Sequence, residues 1–137
     1  MLEKILEDHT RWFETRGKEG ERAVLKGVDL SRAVLRSAKL IEADLMGANL
    51  SEADLRQADF RGANLQDADL RRAQLQGANL EETDLMMADL RGAHLEDTRL
   101  GGAYLHGADL TETIGLTAGQ VDCALQDTAT RLPDFGE

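Results

Sequence analysis

Residues 43–62 read ADLMGANLSEADLRQADFRG, four runs of five in which Leu45, Leu50, Leu55 and Phe60 recur at the same place. Outward from this stretch the spacing holds without a break. From Leu25 to Leu110 every fifth residue is a leucine, except Phe60, which makes 18 positions in all. Two residues before each stands a small partner: fifteen alanines, Val28, Thr83 and Thr98. On an α-helix a step of five advances a side chain about 140° beyond one full turn, so these residues would wander over every side. On a flat strand an odd step sends successive leucines to opposite faces. A chain that turns once in every five residues keeps them all inside, and repetition this strict marks a solenoid. Ala, Leu, Glu, Lys and Arg make up about half the chain, a composition that by itself suggests long helices. The period excludes them.

The residue just before the large one is Asp or Asn in eleven of the eighteen units. Both types bond to nearby backbone and favour turns. Glycine recurs two places after the leucine, at positions 27, 47, 62, 77, 92, 102 and 107, where a corner calls for positive φ.

These units, such as Ala43-Asp44-Leu45-Met46-Gly47, Ala63-Asn64-Leu65-Gln66-Asp67 and Ala88-Asp89-Leu90-Arg91-Gly92, resemble the pentapeptide-repeat proteins over residues 23–112. The resemblance implies an all-β solenoid, a right-handed quadrilateral parallel β-helix with four units to a coil. Eighteen units then make about four and a half coils. At a coil spacing of about 4.8 Å the shaft is roughly 22 Å tall.

Outside the repeats, residues 1–22 are expected to form an N-terminal amphipathic helix and linker, and residues 113–137 a C-terminal helix and tail. Leu2, Ile5, Leu6, His9, Trp12 and Phe13 fall on one helical stripe, which Gly17 and Gly20 end. This helix is read as a lid on the first coil; the competing reading is a partner or oligomerisation helix. Thr117 and Gln120 have the spacing of a capping box, after which Leu116, Val121, Ala124 and Leu125 are expected to cover the last coil. Leu132-Pro133 stops any continuation. Cys123, in this helix, is expected to be a small buried hydrophobe.

The formal charge of −10 argues against nucleic acid as a ligand. No apolar run approaches a membrane span, the N-terminus carries Glu3, Glu7 and Asp8 rather than a secretory signal, and a lone cysteine fits a reducing compartment. A cytoplasmic protein is therefore expected. His9, His94 and His106 lie in different units, remote from Cys123, in no metal-ligand spacing. Neither a nucleophile–base pair nor a phosphate loop can be assembled. No enzyme activity, cofactor or metal is expected.

Function is sought on the outer walls. One wall carries a candidate acidic column, Asp29, Asn49, Asp69, Asp89 and Asp109, with Arg71 and Arg91 beside it. Another gathers Val24, Met46, Met86, Met87, Tyr104 and His106, a candidate partner surface, because exposed apolar patches mark contacts and methionine adapts to them. The expected role is a rigid scaffold for another protein, with a homodimer as a further expectation. Family members resembling quinolone-resistance factors imply an alternative, a DNA mimic that binds a type II topoisomerase. This chain shares their acidity but is short and has no loop inserted between units.

Overall fold

The computed structural model describes residues 1–136. Each large residue of the repeat opens a four-residue turn. Leu45 C=O accepts from Ala48 N–H at 3.0 Å, and the equivalent bond recurs from corner to corner. The residue two after the leucine has φ between 57° and 73° in all eighteen units. Seven of these are glycine, as read from the sequence, and eleven are not, Arg32, Gln57 and Met87 among them. A non-glycine residue pays roughly 1–2 kcal/mol for this conformation. At two of the glycine corners a side chain one coil earlier fills the space a Cβ would take: Gln57 over Gly77 and Met87 over Gly107.

The extended residues between corners pair in parallel with those twenty positions on, except at the C-terminal end, where Tyr104 pairs with Leu125 and Asp109 with Arg131. Four columns result. One runs Val24, Asp44, Asn64, Asp84, Tyr104, Leu125; the second Asp29, Asn49, Asp69, Asp89, Asp109, Arg131; the third Val34, Asp54, Gln74, His94, Ile114; the fourth Lys39, Asp59, Asn79, Arg99. Between neighbouring coils the bonds alternate in direction: Leu45 N–H donates to Asn64 C=O at 2.8 Å, and Asn64 N–H to Ala43 C=O at 2.9 Å. Pairing continues past the last repeat unit as far as Arg131.

Inside stand the large residues, with Phe60 fully buried in a leucine's place, and the alanines. Two threonines replace alanine without loss of a bond. Thr83 Oγ1 donates to Phe60 C=O and Thr98 Oγ1 to Leu75 C=O, each at 2.7 Å. A buried hydroxyl is tolerated where a carbonyl one coil away accepts from it.

Helix α1 (Leu2–Glu14) packs Leu2, Ile5 and Leu6 against the core. His9 on the same stripe is completely buried, but Phe13 is not: it is 41% exposed, so the apolar stripe read from the sequence stops short of it. Helix α2 (Ala118–Asp122) is a single turn with the capping box in place: Thr117 Oγ1 accepts from Gln120 N–H, and Gln120 Oε1 accepts from Thr117 N–H at 2.8 Å. Leu116, Val121, Ala124 and Leu132 pack on the core. Leu125 instead pairs with Tyr104 and turns its side chain outward, and Cys123 is exposed rather than buried. Each correction has its own cause. α2 ends at Asp122, so Leu125 lies in the extended backbone beyond it, while Cys123, the C-cap with helical φ and ψ, stands two residues past the buried Val121 and is turned away from it. Among the described residues no helix is long and apolar enough to cross a membrane.

Candidate interaction surface

The outward face of every coil is built on one local device. All eleven Asp and Asn residues that precede the large residue of a unit accept, through Oδ1, the backbone N–H two residues on; examples are Asp44 with Met46, Asn49 with Ser51 and Asp84 with Met86. The carboxylate or amide thus closes the entry to each corner. Negative charge at these positions follows from the turn.

The acidic column is also paired. Arg71 grips Asp69 with two bonds, Nε to Oδ1 at 2.9 Å and Nη2 to Oδ2 at 2.7 Å, and stands 3.9 Å from Asp89 in the next coil. Arg91 repeats this on Asp89 and approaches Asp109, which Arg131 meets from below at 3.7 Å. Asp29, at the other end, accepts from the hydroxyl and amide of Ser31. The bonds from Arg71 and Arg91 hold Asp69 and Asp89 below the usual carboxylate range, and the Ser31 hydroxyl does the same for Asp29. The column is a zipper of alternating charge along its lower half.

The six residues of the candidate partner surface do not form one patch. The twenty-residue register sets Met86 above His106, and Met87 lies over Gly107. Tyr104 stacks on His106, with ring centroids 6.3 Å apart and an angle of 25° between planes. These four come together at the C-terminal half of the first column, where Met87 is 62% exposed. Met46 lies two coils away, beyond Gln66, and is half-buried. Val24 is at the opposite end, separated from Tyr104 by Asp44, Asn64 and Asp84. His106 Nδ1 is buried without a partner among the described residues. No group of three or more His, Cys, Asp or Glu side chains there could hold a metal ion.

Sequence reading missed a further apolar position, Val34. It heads the third column at 76% exposure, as Ile114 ends it. The signal was present, since both break the Asp/Asn rule at the residue before the large one.

Comparison with known proteins yields one family. A model described as pentapeptide repeats, in eight copies, matches residues 21–51, 48–85 and 88–114. Among solved structures, the chain resembles the pentapeptide-repeat protein Rfr23 from the cyanobacterium Cyanothece 51142, with 25% identity over 80% of this chain and 88% of that one and a TM-score of 0.71. It also resembles alr5209, a pentapeptide-repeat protein from Nostoc Pcc 7120, with 30% identity over 93% and 87% of the two chains and a TM-score of 0.64. No curated protein matches the sequence.

Proposed function

Because the chain belongs to the pentapeptide-repeat family, we propose that it is a right-handed, four-walled column of about four and a half coils, ended by helical segments, that serves as a rigid, non-enzymatic scaffold for another protein. The contact face is the cluster of Met86, Met87, Tyr104 and His106. One observation carries this reading: many outward positions nearby are occupied by Asx bonds and Asp–Arg pairs, whereas Met87 and Tyr104, the latter stacked on His106, keep apolar surface exposed beside the exposed Leu125. Methionine beside an aromatic ring suits an adaptable protein contact. The protein acts in the cytoplasm, and a second copy is a candidate occupant of the same face.

The test is a double variant, Met87→Glu with Tyr104→Glu. It is expected to keep the melting temperature within a few degrees while losing whatever co-purifies with the wild type from its native cells, or its self-association in sedimentation. Unchanged recovery of partners and an unchanged sedimentation coefficient would remove the face from consideration. The alternative, mimicry of DNA toward a type II topoisomerase, rests on acidity. The pairing of Asp69, Asp89 and Asp109 with Arg71, Arg91 and Arg131 weighs against that column as its means. Inhibition of gyrase supercoiling by the purified protein would restore it.

A further inference from the structure

The first coil has an open edge. Among the described residues the N–H groups of Asp29, Val34 and Lys39 have no backbone acceptor, whereas their counterparts one coil on, such as Asn49, Asp54 and Asp59, each have one. Helix α1 packs Leu2, Ile5 and Leu6 against the core and is hydrogen-bonded to the first coil through one side chain. His9 Nδ1 accepts from Ala23 N–H at 2.9 Å, and Nε2 lies 2.7 Å from Ile41 C=O, to which it can only donate. The ring is fully buried and stacks on Trp12, with centroids 5.4 Å apart. The two bonds fix the tautomer: the proton is on Nε2 and the lone pair on Nδ1. A second proton has one place to go, Nδ1, and there it meets the Ala23 N–H head-on. The imidazolium cannot occupy this seat.

We propose that His9 is an acid-sensitive latch, which holds α1 on the first coil when neutral and releases the helix, baring the coil's edge and mouth, when protonated. The groups around the ring do not rescue the charged form. Asp8 and Glu14 stand on α1 itself; Lys39 and Asp59 on the fourth column with Arg61 beside it; Glu21 and Arg22 on the linker that enters the first coil; Glu42 at the corner between the first two coils. Asp59 is engaged by Arg61 at 2.7 Å, and Arg22 spends its Nε on Glu42 C=O at 2.6 Å. Burial is the largest influence and lowers the ring's affinity for protons; the bond to Ile41 C=O opposes it, Arg22 adds to it, and Glu42 pulls weakly the other way, so the net shift is downward.

The sign follows. A base whose folded pKa is lowered stabilises the closed form above its ordinary value of about 6.5, and that stability is lost as pH falls below it. The closed-to-open ratio then drops about tenfold per pH unit until the lowered folded value is reached. The paired aspartates, held below the ordinary carboxylate range, stay charged through this window and leave the coils intact.

Trp12, the one tryptophan of the chain, is the reporter. In the full-length protein between pH 7.5 and 5.0, acrylamide quenching of Trp12 is expected to rise through a one-proton transition centred below pH 6.5. Amide hydrogens of the middle coils, such as Leu50 and Leu70, are expected to keep their protection. His9→Gln, which has no proton to gain, is expected to quench independently of pH, whether its helix is seated or free. Three results would each overturn the latch: flat quenching in the wild type, the same transition in the glutamine variant, or loss of protection in the middle coils together with the Trp12 signal.

Discussion

The first and last coils face the same difficulty, a backbone edge with no further coil to pair with, and the chain meets it with different chemistry at each end. At the N-terminal end α1 packs Leu2, Ile5 and Leu6 against the core and reaches the first coil through the buried ring of His9. At the C-terminal end the edge is met by neutral amides and hydroxyls. Gln120 Nε2 donates to Leu95 C=O at 2.8 Å and to Thr98 C=O at 2.9 Å, and Thr130 Oγ1 donates to Leu105 C=O at 2.7 Å. Asp127, which accepts from Gly107 N–H at 3.1 Å, is the charged member of this set, and that bond holds it below the ordinary carboxylate range. An end tied by a buried imidazole answers to mild acid. An end tied by amides and hydroxyls does not. The difference teaches that a solenoid's sensitivity to conditions is set by its termini, since the middle coils are all bonded alike.

The contrast can be broken at either end. The largest effect is expected from His9→Ala, which strands Ala23 N–H and Ile41 C=O in a buried site; two unsatisfied backbone groups cost about 2–5 kcal/mol together. Urea titration followed by Trp12 emission should show this loss at pH 7.5, and the gap between variant and wild type should narrow at pH 5.5. Gln120→Ala is next. It removes two bonds to the last regular coil and half of the capping box, and is expected to cost about 1–3 kcal/mol, equally at both pH values. Hydrogen exchange of Gly102 and Leu105 would locate the loss at the C-terminal end. Thr117→Ala takes away the cap alone, for about 1 kcal/mol in the same measurement. Least of all, Cys123→Ser should leave stability unchanged, and the wild-type thiol should react fully with a thiol reagent without denaturant. A protected Cys123 would contradict its exposed place at the end of α2.

Much of this was legible beforehand because each repeat unit carries its own instructions. Asp44 reaches Met46 N–H within its own unit, and Leu45 C=O reaches Ala48 N–H, so five residues suffice to write the corner. The candidate surface was legible only in part. Column membership could be counted from the sequence. But Met86, Met87, Tyr104 and His106 meet because the last coils bring them to one level, whereas Val24 and Met46 share their column and not their neighbourhood. His9 read as one more member of an apolar stripe. Nothing in a helical period distinguishes a packed ring from one whose two nitrogens each find a backbone partner, in this case 14 and 32 residues away.

The sequence by itself determined the turn at every fifth residue, the interior of leucine and alanine, and the backbone-bonding role of Asp and Asn, because each depends on contacts a few residues apart, repeated until no other arrangement buries the leucines. Tertiary structure decided how the two ends are tied, which arginine bridges to the aspartate of the next coil, and that Cys123 and Leu125 look outward. Those outcomes depend on groups brought together once, across coils or at a terminus, where no repetition announces them.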